Sequence, residues 1–207
     1  MPELRSDLYD RTAHVWDAAR SKSLFERKWL DRFMSLLPQA GTILDIGCGS
    51  GEPIARYFID SGFAITGIDA SPALIAMCKH RFPEQDWHVA DMRALHMNAR
   101  FDGLIAWHSF FHLSRDDQRK MFALFAAHIN PKGILMFTSG PQDGESIGEW
   151  QGEPLYHASL SPDEYRELLA ANGLTVVDHR AEDQECGGAT VWLARQMSPA
   201  SGLDGSA

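Results

Sequence analysis

Apolar positions along the chain follow two rhythms. Short runs at residues 42–46, 63–69, 86–92, 101–107 and 134–138 read as strands, several of them unbroken enough for a sheet covered on both faces. Between them, apolar residues recur at three and four positions. Leu24, Phe25, Trp29, Leu30, Phe33, Met34 and Leu37 define an amphipathic helix over 23–37, stopped by Pro38. Further helices are predicted over 52–60, over 71–80 behind the cap Ser71 and Pro72, and from Ser114, with Met121, Phe122, Leu124, Phe125 and Ile129 inward. This alternation, from Gly41 to Thr138, predicts an α/β fold with a doubly wound, mainly parallel sheet. An irregular helix over 8–20 precedes it. Ser161-Pro162-Asp163-Glu164 opens a last helix that Asn172-Gly173 stops, and strands at 174–179 and 189–195 finish the pattern.

Residues 139–160 break the rhythm. Gly140, Pro141, Gly144, Gly148, Gly152 and Pro154 argue against regular structure, while Trp150, Tyr156 and His157 are costly side chains for a plain linker. We expect a lid or substrate loop; the other reading is an ordered loop whose aromatics plug the sheet edge.

Composition narrows the functional classes. With 207 residues and 44% hydrophobic content, one domain over 1–197 is expected, with a small polar tail at 198–207 expected to be disordered. A net charge of -9 speaks against a cationic surface for nucleic acid or anionic lipid, which points to a small-molecule partner. Cys48, Cys78 and Cys186 are odd in number and widely spaced, so neither a disulfide framework nor a metal site is expected, and a reducing compartment fits. The N-terminus lacks the apolar core of a signal peptide and no stretch approaches a membrane span, which suggests a cytoplasmic protein.

The chemistry concentrates where the first strand ends. Asp45 is followed by three alternating glycines, Gly47, Gly49 and Gly51, and then by helical spacing. Glycine there permits positive φ and lets a ligand lie against the backbone at a helix N-terminus, where unpaired N–H groups are expected to face it. The spacing differs from the G-x-G-x-x-G of dinucleotide folds. Asp69 ends the second strand about twenty residues further on, where a carboxylate is placed to accept from ribose hydroxyls. A third acid, Asp91, ends the third run.

Asp45-x-Gly47-x-Gly49-x-Gly51, in the form Leu-Asp-Ile-Gly-Cys-Gly-Ser-Gly, resembles the first motif of class I S-adenosylmethionine-dependent methyltransferases of the small-molecule type. The resemblance implies a Rossmann-like sheet of seven strands, the last inserted between the fifth and sixth, with an N-terminal helical cap over the cofactor, residues 1–40. It implies that Asp45, Gly47, Cys48 and Gly49 hold the methionine part of S-adenosylmethionine, and that Asp69 with Ala70 holds the ribose. Asp91 would accept from the adenine amino group and Met92 would pack on the base. Tyr9, Trp16 and Arg20 are suited to the cap, the aromatics against an apolar ligand face and Arg20 against a carboxylate; the other reading makes Tyr9 and Trp16 core anchors and Arg20 a solvated charge.

Methyl transfer from a sulfonium is an in-line displacement, so the protein must align the acceptor, exclude water and remove a proton where the acceptor carries one. His108, His112 and His157 are the candidate bases, His108 foremost because it follows the fourth strand, although each also has a plain structural reading. His108, Trp150, Tyr156 and His157 are expected to bind the substrate, and Trp107, Trp150 and Tyr156 to form an apolar wall for a planar acceptor or to face the sulfonium. Three alternatives stay open: a metal bound by His108 and His112 with His157 or a nearby acid; a cofactor-binding sensor or scaffold; and transfer of another part of the cofactor, such as its aminopropyl group. The acceptor atom and the choice between monomer and homodimer stay open as well.

Overall fold

A computed structural model describes residues 6–198; the remainder of the expected tail, 199–207, and the first five residues lie outside it. The elements are α1 (Ser6–Arg11), α2 (Ala13–Ala19), α3 (Arg27–Met34), β1 (Thr42–Ile46), α4 (Ile54–Asp60), β2 (Ala64–Asp69), α5 (Pro72–Arg81), β3 (Asp86–Val89), β4 (Phe101–Ala106), α6 (Arg115–His128), β5 (Ile129–Ser139), β6 (Gly144–Trp150), β7 (Glu153–Ser159), α7 (Pro162–Ala171), β8 (Leu174–Asp183) and β9 (Ala189–Gln196). Seven strands form one sheet in the order β3-β2-β1-β4-β5-β9-β8. The first five are parallel, and β9 runs antiparallel to both of its neighbours.

Strand alternation divides the core. Ile43, Ile65, Ile105, Ile134, Met136 and Leu193 face α3, α4 and α5, whereas Leu44, Ile46, Ile68, Leu104, Leu135 and Trp192 face α6 and α7. Both faces are buried, as the apolar runs require. The helix caps expected at Ser71, Ser114 and Ser161 are made, each hydroxyl accepting from the backbone N–H three residues on.

Four elements depart from the pattern. The stretch expected to be irregular contains an antiparallel hairpin, β6–β7, separate from the main sheet. Its two-residue turn places Gln151 and Gly152 at positive φ, 53° and 80°, which matches the twist of the strands it joins; Pro154 is tolerated because a two-stranded ribbon leaves its strands with free edges. The helix expected over 23–37 is shortened to α3, because Leu24 takes a left-handed conformation ahead of it. The helix over 8–20 is broken at Thr12. The third strand ends at Val89, and Asp91 caps a short 3-10 turn, residues Met92–Ala94. Among the described residues, no helix is long and apolar enough to cross a membrane.

Candidate active site

At the carboxyl edge of the parallel strands lies a cavity of about 800 Å³, walled by the β1–α4 and β2–α5 turns, α1, α2, the segment after β4 and the β6–β7 hairpin. A second cavity, about 60 Å³, adjoins it and shares Trp16, Arg20, Gly47 and His108 as walls.

The glycine turn is built as the sequence suggests but is more fully occupied. A Cβ on Gly47 would lie 2.3 Å from the Ser109 Cβ, and one on Gly49 would lie 2.6 Å from the Trp16 ring, so the protein's own side chains lie against this backbone. Nor do the turn's N–H groups stand free. Gly47 and Cys48 both donate to the Ile68 carbonyl, and Gly49 donates to Asp69 Oδ2 at 2.9 Å. Asp69 also accepts from the Ser71 N–H; burial raises its pKa, against the lowering effect of the Ser71, Gly49 and Ala70 N–H groups. Asp69 and Ala70 line the main cavity with Ile68, Leu74, Ala90 and Met92.

Asp45, Cys48 and Trp107 line the smaller cavity instead. Burial, with the Asp69 charge nearby, pushes the Asp45 carboxyl up to about 7. The Trp107 indole N–H is buried without a hydrogen-bond partner. A proton-binding acid and an orphaned donor in one small cavity are the marks of a place for a polar group. Arg20 stands between the two cavities, neither solvated nor fully available to a ligand: its guanidinium pairs with the fully buried Glu26, whose second oxygen has no partner.

The cap is latched on both sides. Toward the sheet, Asp10 accepts from the Ala73 N–H and the Ser71 hydroxyl at the start of α5, and Asp17 forms a two-pronged pair with Arg81. Toward the hairpin, the Trp150 indole donates to Thr12 Oγ1 at 3.0 Å and Arg11 pairs with Glu153 at 2.9 Å. Trp150 therefore does not wall the cavity, as expected of a substrate-binding residue; it fastens the hairpin to the cap. Asp91 is also displaced from its expected role. Burial raises its pKa, but hydrogen bonds from the Arg93 backbone and guanidinium outweigh that and hold it below the ordinary value, and it is not among the residues lining the cavity.

The three histidines converge with Tyr9 on the main cavity. His112 Nδ1 lies 3.1 Å from the Tyr156 carbonyl, so it carries the proton; Nε2 then accepts from the Tyr9 hydroxyl, also at 3.1 Å. Burial lowers the His112 pKa to about 4 and raises that of Tyr9 to about 12. His108 has φ 51°, held by its N–H to Thr138 Oγ1, and its ring projects into the cavity with no hydrogen bond to its nitrogens among the described residues. Its side chain is exposed to the cavity, yet the protein packed around it desolvates the ring and, with Arg20 and His112, lowers its pKa to about 4. The His157 ring lies 4.9 Å from that of His112, and burial lowers its pKa. Phe111, which the sequence reading passed over, stands among all three, its ring 4.8–5.7 Å from theirs. Its place between His108 and His112 was the available signal. Ser109, Ile147 and Leu155 also line the cavity and were passed over. Among the described residues, no group of three or more His, Cys, Asp or Glu is arranged to hold a metal ion.

A family model described as a methyltransferase domain matches residues 17–179. An O-methyltransferase of Pyrenophora dematioidea is 29% identical over 166 residues, covering 74% of this chain and 61% of that protein. A dTDP-3-amino-3,6-dideoxy-alpha-D-glucopyranose N,N-dimethyltransferase of Streptomyces fradiae is 30% identical over 101 residues, covering 48% and 39%. The chain spans about half the length of the curated relatives it matches. Among solved structures, a Burkholderia thailandensis 1,6-didemethyltoxoflavin-N1-methyltransferase, with 1,6-didemethyltoxoflavin and S-adenosylhomocysteine bound, has a TM-score of 0.74 at 20% identity, covering 94% of this chain and 88% of that one. The amino pentose methyltransferase CalS10 of Micromonospora echinaspora, with S-adenosylmethionine bound, has a TM-score of 0.70 at 18% identity, covering 90% and 96%. At these identities the likeness concerns the fold.

Proposed function

The chain belongs to the methyltransferase-domain family, and on that premise we propose that it transfers the methyl group of S-adenosylmethionine to a small-molecule acceptor in the main cavity. The observation that carries the reading is the pairing of two adjoining cavities of different character. The small one offers the buried Asp45 acid and the unpartnered Trp107 N–H, which suit the ammonium and carboxylate of an amino acid. The large one offers Asp69 for vicinal hydroxyls and Ile68, Leu74, Ala90 and Met92 for a flat base, and its volume is in the range of small-molecule sites, about 300–1,000 Å³. When bound, S-adenosylmethionine supplies an electrophilic methyl carbon.

The chain's own residues then have three tasks. The cap and hairpin exclude water from the reacting centre. Asp69 and Asp45 orient the cofactor's two ends, with Arg20 reaching its carboxylate by sharing or leaving Glu26. His108, neutral and with both ring nitrogens unengaged, takes the proton of an acceptor O–H or N–H. His112 is less suited to that task, since both its nitrogens are already in use. The three unpaired cysteines favour a reducing compartment such as the cytoplasm.

Calorimetric titration with S-adenosylmethionine and S-adenosylhomocysteine, repeated on Asp69→Ala, tests the reading. Both ligands should bind, and the substitution should weaken both by about tenfold or more, the loss of a charge-assisted hydrogen-bond pair. Absence of binding by either ligand to the unaltered protein sinks the proposal.

A further inference from the structure

The acceptor end of the main cavity has a chemistry of its own. Its walls are Phe111, His112, Ile147, Leu155, Tyr156 and His157, with His108 beside them. None carries a formal charge at neutral pH, since partial desolvation by the cavity walls lowers the pKa of all three histidines. The cations near it have anionic partners: Arg20 has Glu26 or, when the cofactor is bound, its carboxylate, Arg11 has Glu153, and Arg115 has Asp143 while its Nε–H is buried and unpartnered. The rim is acidic. Asp7 lines the cavity, burial and then Glu145 raise the pKa of the Tyr156 phenol against the smaller opposing effect of Arg115, and Glu149 lies exposed further along β6. An anion entering here would lose hydration, meet carboxylates and find no uncommitted cation among the described residues.

Shape adds a second restriction. Phe111 and three imidazoles cluster at ring separations of 4.8–5.7 Å, tilted 40–64° to one another, so that faces and edges alternate along the wall. Ile147, cross-strand partner of Tyr156, is 65% exposed although it lines the cavity, so an apolar surface stands wet at the entrance. Such walls gain most from a flat apolar body, which recovers both the ring contacts and the Ile147 surface.

We propose that the methyl acceptor is an uncharged, planar aromatic or heteroaromatic molecule bearing an O–H or N–H, held between Phe111, His157, Tyr156 and Ile147, with His108 at the reacting hydrogen. The inference rests on the methyltransferase reading and specifies the substrate class for that site. It disfavours acceptors tethered to phosphate or carboxylate groups.

The test begins with protein shown by calorimetry to bind S-adenosylhomocysteine and then saturated with it. Three probes of one carbon skeleton are titrated: 2-naphthol, its 6-sulfonate and the saturated decahydro-2-naphthol. 2-Naphthol should bind at least tenfold more tightly than either of the others, and Phe111→Ala should weaken it at least fivefold. S-adenosylhomocysteine affinity reports separately that the variant is folded; should it fail to fold, Ile147→Ser at the entrance gives the same comparison. Equal or tighter binding of the sulfonate or of the saturated alcohol overturns the proposal. So does the absence of saturable 2-naphthol binding in protein that binds S-adenosylhomocysteine. Failure of S-adenosylhomocysteine itself to bind would bring down the cofactor reading, and this one with it.

Discussion

The Tyr9 hydroxyl donates to His112 Nε2 across 3.1 Å, joining the first helix of the cap to the segment that leaves β4. Because His112 Nδ1 already serves the Tyr156 carbonyl, the same imidazole ties cap, sheet edge and hairpin together. Tyr9→Phe keeps the ring and removes the donor, leaving a buried lone pair unsatisfied. The expected cost is about 1–2 kcal/mol of stability. Acceptor KM should rise more than cofactor affinity falls, because the broken link faces the acceptor end. Thermal unfolding and steady-state kinetics check both parts; unchanged kinetics with lowered stability would make the link purely structural.

Trp150 and Thr12 make the second link between hairpin and cap. Trp150→Phe retains most of the apolar contact and loses the 3.0 Å hydrogen bond, while the exposed Arg11–Glu153 pair is screened by solvent and adds little. Amide exchange across residues 144–159 should accelerate by about threefold to tenfold in the variant, the range for one modest hydrogen bond. Exchange in β1 and β4 should not change. Acceleration throughout the sheet would contradict a local role.

These two links explain what sequence reading can and cannot deliver. The sheet was legible because both its faces are apolar, and Ser71, Ser114 and Ser161 marked their helices by local chemistry. Asp45, Gly47, Gly49 and Asp69 were legible through their spacing, and the structure brings them to one edge. The hairpin was not, because Gly148 and Pro154 look like breakers until a positive-φ turn at Gln151-Gly152 pairs the strands. Trp150 and Asp91 were misjudged for a related reason. Their partners, Thr12 and Arg93, decide where each side chain points, and Thr12 lies 138 residues away along the chain.

His108 tests the assignment of the base. Its left-handed backbone would burden an alanine, so Asn, which tolerates that conformation and lacks an imidazole, is the better replacement. His108→Asn should lower turnover of an O–H or N–H acceptor by about 10²-fold or more, in the range of general-base contributions, and leave S-adenosylhomocysteine affinity within about twofold. Undiminished turnover would remove His108 from the chemistry.

Asp45 predicts a pH signature. Its carboxyl is raised from the ordinary 3.8 to about 7 by burial, so between those values the folded protein holds a proton that the unfolded chain has released. The associated stability is present below about pH 4 and is lost as pH rises toward 7, a change on the order of 4 kcal/mol at most. Asp45→Asn should flatten that slope and stabilise the protein near pH 8, as followed by chemical denaturation. An ammonium group bound beside Asp45 would favour the ionised form and release the proton. Cofactor binding below pH 7 should therefore liberate up to one proton, measurable as a buffer-dependent calorimetric enthalpy, and the Asn variant should lose that dependence. A variant that binds with the same proton release would show that Asp45 titrates independently of the ligand, and would move the amino-acid end of the cofactor away from the smaller cavity.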